Sequence, residues 1–362
     1  MPTWLKPSLN WLLVFVPVAV VLKFAAPNLP AAVFITACLA VIPLAGLLGH
    51  ATEELASRTN EGIGGLLNAT FGNAAELIIA LMALQQGLHD VVKASLTGSI
   101  IGNILLVMGA SFLAGGLKFK IQTFNPTAAR SQANMLTLAA IALIMPAAYH
   151  YMGGQEAPLL ERGMSLEIAG ILLVTYVLGL IFSLRTHRHL FTGGGPKLHA
   201  DGPRGPGWSL RTALIVLAVS TVLIGWISEI LVGAVEPAAE AMGMTGVFVG
   251  VIVVAIIGNA AEHSSAVTAA LKNRTDLSIG ISLGSSTQIA LFVAPVLVLA
   301  SLVVGPRPMD LVFTLPEVLA VALAVAISAQ VTMDGESNWL EGVQLLSVYA
   351  ILGIVFYFLP HA

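Results

Sequence analysis

Charge is scarce in this sequence. Asp, Glu, Lys and Arg make up 10% of its 362 residues, where a soluble globular domain carries about 25%. That scarcity excludes an ordinary water-exposed surface, and the formal net charge of −3 provides no basic footprint for nucleic acid. Cysteine is nearly absent as well. Cys38 stands alone in an apolar run, which rules out a disulfide framework and a thiolate metal cluster and leaves a small core residue. No His-Glu-x-x-His occurs, so an intramembrane zinc enzyme lacks its ligand motif, and the chain reads as no enzyme at all. The first residues lack the small-residue cleavage pattern of a secretory signal, so the run from Trp11 to Ala25 is expected to stay as a short first span. What is abundant is apolar. Such residues form 57% of the chain and the mean hydropathy is +0.91, which predicts an all-α integral membrane protein with many spans.

Eleven apolar segments are long enough, or nearly so, to cross a bilayer: 9–26, 31–50, 62–86, 88–116, 127–150, 163–185, 209–233, 244–271, 276–304, 311–332 and 338–359. The longest polar connection runs from Thr186 to Trp208. Its clusters Gly193-Gly194-Gly195-Pro196 and Gly202-Pro203-Arg204-Gly205-Pro206-Gly207 cannot continue a helix, so a flexible tether is expected there, too short for a soluble domain. Twelve of the sixteen Lys and Arg residues fall on the side of the N-terminus, and Lys23, Lys93, Arg162 and Arg307 on the other. Positive charge stays inside, so the N-terminus is expected in the cytoplasm and, after an odd number of spans, the C-terminus outside.

The chain repeats itself around one motif. Gly72-Asn73-Ala74-Ala75-Glu76 returns as Gly258-Asn259-Ala260-Ala261-Glu262, an offset of 186 residues. The same offset carries Asp90 to Asp276, Gly98 to Gly284, Ser99 to Ser285, Leu105 to Leu291 and Val107 to Val293. A Glu near the middle of a span costs a few kcal/mol on insertion scales, so it marks an ion or substrate pathway. The bland alternative is a pair of packing motifs with protonated carboxyls, but packing needs only the small residues and not the acid. The predicted layout is a peripheral first helix (1–30), a five-helix repeat (31–186), a cytoplasmic linker (187–208) and a second five-helix repeat (209–362). Five is odd, so the second repeat enters the membrane inverted, as in several secondary transporters.

Gly72 and Gly258 stand where each Glu-bearing helix can be broken, freeing carbonyls that are tolerable only where they line a cavity or hold a cation; close helix packing is their other reading. Ser99 and Ser285 each follow their Glu by 23 residues, which in an antiparallel hairpin returns them to about the same depth. Asn103 shares a helix face with Ser99, and Gln288 shares one with Ser285. The candidate site therefore holds carboxylates from Glu76 and Glu262, amide oxygens from Asn73, Asn259, Asn103 and Gln288, hydroxyls from Ser99 and Ser285, and backbone oxygen at Gly72 and Gly258. An all-oxygen set suits calcium, whereas thiolate and imidazole sites suit zinc or copper. A lone Ser or Asn in a span is as readily a helix-packing group, so the paired set carries the reading.

These residues resemble a known family. The stretches Gly64 to Ile78, Lys93 to Asn103, Phe182 to Phe191, Gly258 to His263 and Gly284 to Phe292 look like those of a calcium/proton exchanger of the calcium:cation antiporter superfamily, in its short prokaryotic form, and the likeness extends over nearly the whole chain. The resemblance implies a secondary antiporter in a prokaryotic plasma membrane. Ca²⁺ and H⁺ would be its transported ions, with no resident cofactor, and Glu76 and Glu262 would serve as central calcium ligands and proton carriers. The bilayer and the transported cations are then its partners, with homo-oligomerisation left open. The tether lacks the acidic helix that some members carry, and no long autoinhibitory N-terminal tail is expected.

Two alternatives belong to other classes. A sodium/calcium exchanger shares the architecture, but such exchangers tend to place a further acid on the Gly-Ser helix, where this chain has neutral Asn103 and Gln288. Two carboxylates are neutralised equally by one Ca²⁺ or by two protons, and desolvated like-charged acids titrate as a coupled unit, which favours protons. A passive cation channel would also place polar groups at mid-membrane, yet the inverted repeat points to alternating access. Glu53, Glu54, Glu229, Glu236 and Glu240 cluster near span ends, where they either draw cations in or are simply solvated. His263 follows Glu262 directly and so points about 100° away, a poor ligand position. His50 stands with the span-end acids, and His187 and His189 are expected to be solvated in the tether.

Overall fold

The computed structural model describes residues 9–59, 61–154, 157–191 and 207–359, and helix occurs in every one of the eleven apolar segments. After a 3-10 turn at Leu9–Val14, α1 (Phe15–Ala25) leads into α2 (Pro30–Ala56). The third segment is split into α3 (Glu61–Phe71) and α4 (Ala74–Gln85). Helix α5 (His89–Ile101) runs through a π-helical stretch, Gly102–Val107, into α6 (Met108–Lys118). Then come α7 (Pro126–Met152), α8 (Ala157–Ile181), a π stretch at Phe182–Thr186 and the short α9 (Arg188–Phe191). The second half opens with α10 (Leu210–Ala241), then α11 (Gly246–Phe248), a π stretch at Val249–Val254, α12 (Ala255–Gly258) and α13 (Ala260–Leu271). It continues through α14 (Thr275–Gln288), a π stretch at Ile289–Val293, α15 (Ala294–Ala300), α16 (Leu315–Val331) and α17 (Trp339–Tyr357).

Among the described residues, seven helices are long and apolar enough to cross a membrane, and an eighth span forms if Gly246–Gly258 and Ala260–Leu271, bent by 60°, count as one. The apolar helices Leu9–Ala25, Ala74–Gln85 and Leu315–Val331 are shorter. The departure from eleven full-length helices has local causes. The Gly-Asn pair interrupts each Glu-bearing segment, and α16 starts at Leu315 rather than near 311. There the Glu317 carboxylate accepts from the Thr314 backbone N–H (2.9 Å) and hydroxyl (2.7 Å), a capping box that fixes the first turn. Most of the expected tether lies outside the described residues. Its far end, Gly207 and Trp208, rests on α2, where Trp208 meets the His50 ring edge-on at 4.5 Å and its carbonyl accepts from Arg58.

Helices α2 and α10 pack along one another, α6 on α17, α7 on α16, and α5 on the π stretch Val249–Val254. A two-stranded antiparallel ribbon, β1 (Gln122–Thr123) with β2 (Glu336–Ser337), ties the loop after α6 to the loop before α17. Without a hydrophobic force between helices in lipid, close approach depends on small residues. Gly98 is the tightest case, since a Cβ there would overlap the Val251 carbonyl. Gly98→Ala is therefore expected to lower stability by about 2 kcal/mol, the usual cost of overpacking. Gly102→Ala, where no described atom lies within 4 Å of the new Cβ, should cost far less. Thermal unfolding of the two variants in detergent checks the contrast.

Candidate functional site

The two Glu-bearing segments break in the same way. Asn73 (φ −100°, ψ 23°) and Asn259 (φ −96°, ψ 6°) leave helical geometry for the sparsely allowed bridge region. Each Asn carbonyl then accepts the first bond of the helix that follows, from Leu77 N–H at 3.0 Å and from His263 N–H at 2.9 Å. The break makes Glu76 and Glu262 the third residues of α4 and α13. A carboxylate in the first turn faces the positive end of the helix dipole, which favours its charge even deep in the protein.

The polar side chains singled out by the repeat are brought together. Asn73 Nδ2 donates to Gln288 Oε1, and the Ser285 hydroxyl donates to Asn73 Oδ1 at 3.1 Å. Asn103 Nδ2 donates to Ser285 Oγ at 3.1 Å and reaches Asn259 Oδ1 at 3.5 Å, while Asn259 Nδ2 donates to Ser99 Oγ at 3.0 Å. Each of these five contacts joins the first half of the chain to the second. Asn73, Asn103 and Asn259 are each 1% exposed, so in this setting an unpaired amide would be costly and the network defines one arrangement.

The carboxyls stand at the centre of this frame. Glu76 crosses to the other half, with Oε1 3.6 Å from where a Gly258 Cβ would be, an ordinary van der Waals distance. It lies within charge–charge range of Glu262. Glu76 Oε2 and Glu262 Oε2 are buried and have no hydrogen-bond partner, and these are the oxygens left for a guest. The amide oxygens of Asn73, Asn259 and Gln288, by contrast, already accept bonds from the protein. Gly72 approaches the site through Gln288, whose Oε1 lies 3.7 Å from its would-be Cβ.

Surroundings differ on the two sides of the carboxyl pair. Beyond Glu262, α13 exposes Ser264, Ser265 and Thr268, and α3 exposes Asn68. Beyond Glu76, the corresponding wall of α4 is apolar, with Leu77, Ile78 and Met82 half-buried and Ile79 buried. Among the described residues, no three His, Cys, Asp or Glu side chains gather to hold a metal.

Residues 29–185 and 212–358, most of the chain, match the sodium/calcium exchanger protein family. The chain belongs to that family. Among its relatives, a Ca(2+)/H(+) antiporter of Synechocystis sp. is 48% identical over 365 residues, covering 96% of each chain. The Ca(2+)/H(+) antiporter ChaA of Bacillus subtilis is 46% identical over 330 residues, covering 91% of this chain and 93% of that protein. The solved structure of native YfkE superposes with a TM-score of 0.83 at 41% identity, over 97% of this chain and all of that one. An H+/Ca2+ exchanger structure, CAX, shares the fold at a TM-score of 0.70 and 16% identity, over 96% of this chain and 91% of that one.

Two supports of this exchanger-family site escape a reading by repeats because they have no repeat mate. Lys93, which sequence reasoning counts only as an outside charge, is built into α5 with its side chain 12% exposed. Its ammonium donates to Asp310 (2.6 Å) and to the Val312 carbonyl (2.8 Å). One turn on, the Thr97 hydroxyl faces Glu317 Oε1 at 3.5 Å. This cluster, buried at Thr97 and Glu317 and open to solvent at Asp310, anchors the helix that carries Ser99 and Asn103. At the other end, Lys118 and Gln122 donate to the carbonyls of Leu271 (2.8 Å) and Ala270 (2.9 Å), capping the helix that carries Glu262. Only Lys93, inside an otherwise apolar run, carries a signal in the sequence; Lys118 and Gln122 lie past the end of the 88–116 segment. The span-end acids sit apart from the network: Glu53, Glu229, Glu236 and Glu240 are exposed and Glu54 faces Gly207. His263 is half-buried, His187 stacks on Phe182, and the His189 side chain lies outside the described residues.

Proposed function

We propose that this chain exchanges Ca²⁺ for H⁺ across a prokaryotic plasma membrane by alternating access, using one mid-membrane site that Glu76 and Glu262 build jointly. The observation that carries the reading is the meeting of two buried carboxyls, each with a partnerless oxygen, inside a frame whose contacts all cross between the halves. The relatives at 46–48% identity, both named as Ca(2+)/H(+) antiporters, support the same assignment, and they are carriers rather than enzymes. Two carboxylates carry −2, which one Ca²⁺ or two protons cancel equally, so each cargo excludes the other. Neutral Asn103 and Gln288 supply no third charge, which favours protons over sodium as the counter-ion.

In this reading the layout is a peripheral helix (1–30) and two inverted five-helix repeats (31–186 and 209–362) joined by a cytoplasmic linker, making eleven crossings with the N-terminus inside and the C-terminus outside. The polar, exposed wall of Ser264, Ser265, Thr268 and Asn68 is the cytoplasmic approach to the site, and the apolar wall of α4 keeps the outside closed. The carboxylates are the primary calcium ligands and the proton carriers. Freed carbonyl oxygen at the helix breaks beside Gly72 and Gly258 completes the shell, and the Asn, Ser and Gln side chains hold the carboxyls in register. On calcium binding the amide oxygens of Asn73, Asn259, Asn103 and Gln288 and the hydroxyls of Ser99 and Ser285 exchange some of their mutual bonds for the ion.

Asn103→Ala removes the link between Ser285 and Asn259 and should weaken calcium binding by about 10- to 100-fold, as losses of supporting partners at metal sites do. Equilibrium binding of radioactive calcium to purified protein checks this, with expression as the control for folding. The function itself is tested in proteoliposomes. An imposed pH gradient should drive calcium uptake against its own gradient with choline or potassium replacing all sodium. Uptake that needs a sodium gradient and ignores pH would refute the proton assignment.

A further inference from the structure

The two copies of the Glu-bearing segment are closely related in sequence yet differ in form. At the offset of 186 residues, Ile63 to Asn68 of α3 correspond to Val249 to Val254, and the first stretch is α-helical while the second is π-helical. They also differ in what they touch. Val249–Val254 packs on α5, where a Cβ on Gly250 would come within 2.7 Å of the Ala94 Cβ and 3.2 Å of the Val91 carbonyl. Gly98 of α5 in turn admits the Val251 backbone itself.

The equivalent surfaces in the other half are Gly64 and Gly65 on α3, facing Gly280 and Gly284 on α14. That contact is not made. Helix α3 packs instead on α2 and on Phe182–Thr186, with Gly64 against the Ala56 carbonyl and Gly65 against Leu184. Among the described residues, no atom lies within 4 Å of the Cβ that Gly280 would carry, and only the Gln132 side chain comes that near to Gly284. One repeat therefore has its glycine contact closed, and the other has the same contact open, with the α14 face vacant and the α3 glycines turned to other partners.

We propose that Gly280 and Gly284 are the receiving face on which Gly64 and Gly65 close the cytoplasmic side of the site, with residues 63–68 taking the π form as they do. A π stretch adds one residue to a turn and so rotates the preceding helix by about 100°. That rotation is what swings the two glycines away from α2 and Leu184. The exchange of forms between the copies is then the device that opens one side as the other shuts: 63–68 becomes π and 249–254 relaxes to α. The proposal rests on the alternating-access reading above and names the residues on which its cytoplasmic closure depends.

The test uses Gly280→Leu, which fills space that is empty in the described state, together with a Cys38→Ala background carrying either Thr268→Cys or the pair Gly64→Cys and Gly280→Cys. Expected for Gly280→Leu is calcium binding within about twofold of wild type, because the open form is untouched. Exchange should be slower by roughly a hundredfold, the population shift that a steric block of overpacking size imposes on the closed form. The exposed Thr268→Cys should be modified by an impermeant thiol reagent more slowly during turnover than without calcium, and Gly280→Leu should abolish that difference. Oxidation should cross-link the cysteine pair and stop exchange, and reductant should restore it. Wild-type exchange by Gly280→Leu would overturn the proposal. So would failure of the pair to cross-link while Thr268→Cys protection still varies, a result that leaves alternating access standing. Thr268→Cys reactivity that never varies in otherwise wild-type protein would overturn both. If Gly280→Leu does not fold, the reversible cross-link decides alone.

Discussion

Glu76→Gln and Glu262→Gln should each reduce calcium exchange to the level of empty vesicles while leaving a folded, inserted protein. The amide preserves the shape of the side chain, and the surrounding network of Asn73, Asn103, Asn259, Ser99, Ser285 and Gln288 does not depend on either carboxyl for its five cross-half contacts. What is lost is charge. A carboxylate and a divalent ion at about 4 Å and an effective dielectric near 20 attract by about 8 kcal/mol, so even with half of that offset by the lower desolvation cost, removing one carboxylate should cost about three decades of affinity. The amide also has no titratable proton to take up and release, so the return step fails as well. Counter-transport of radioactive calcium, with size-exclusion profiles as the folding control, measures both effects. Wild-type exchange by either single variant would show that the carboxyls do not act as one site.

Acid should raise the calcium concentration needed for half-saturation, by up to a hundredfold per pH unit where binding displaces two protons. The sign follows from the competition. A protonated carboxyl neither balances nor coordinates Ca²⁺, so calcium binding is tight in the alkaline range, where both carboxyls are bare. It weakens progressively as pH falls through the range in which they take up protons. The same relation makes an acidic outside a calcium-releasing side for a protein that exports the ion. Equilibrium binding across a pH series gives the slope directly. A slope of one decade per unit would mean that a single proton competes, and a flat profile would separate proton and calcium sites.

The sequence and the folded chain agree most closely where the repeat is strongest. The Gly-Asn-Ala-Ala-Glu motif located both helix breaks, and the Ser residues that the spacing singled out, Ser99 and Ser285, both join the polar network through Asn259 and Asn73. Three things were not legible. The amide oxygens read as open ligands, yet they accept bonds from one another, since two long polar side chains in a dry interior pair with whatever lies across the interface. Lys93 counted only as an outside charge and Glu317 carried no signal, yet Lys93 meets Asp310 and Glu317 meets Thr97 around α5, long-range contacts that no local pattern encodes. The π stretch Gly102–Val107 contains Asn103 and Ile289–Val293 directly follows Gln288, but nothing in their sequences separates π from α geometry. That difference is settled by packing.

The most direct measurement is a calorimetric titration of the purified protein with calcium, run in two buffers of different ionisation enthalpy at the pH where acid weakens binding. Bound calcium and released protons are counted together. If Glu76 and Glu262 form one site shared by both cargoes, each Ca²⁺ should release close to two protons at the acid end of the range, and Glu76→Gln and Glu262→Gln should each lose both the binding and the release. Calcium binding that releases no protons at any pH, or that persists unchanged in both single variants, would contradict the shared site.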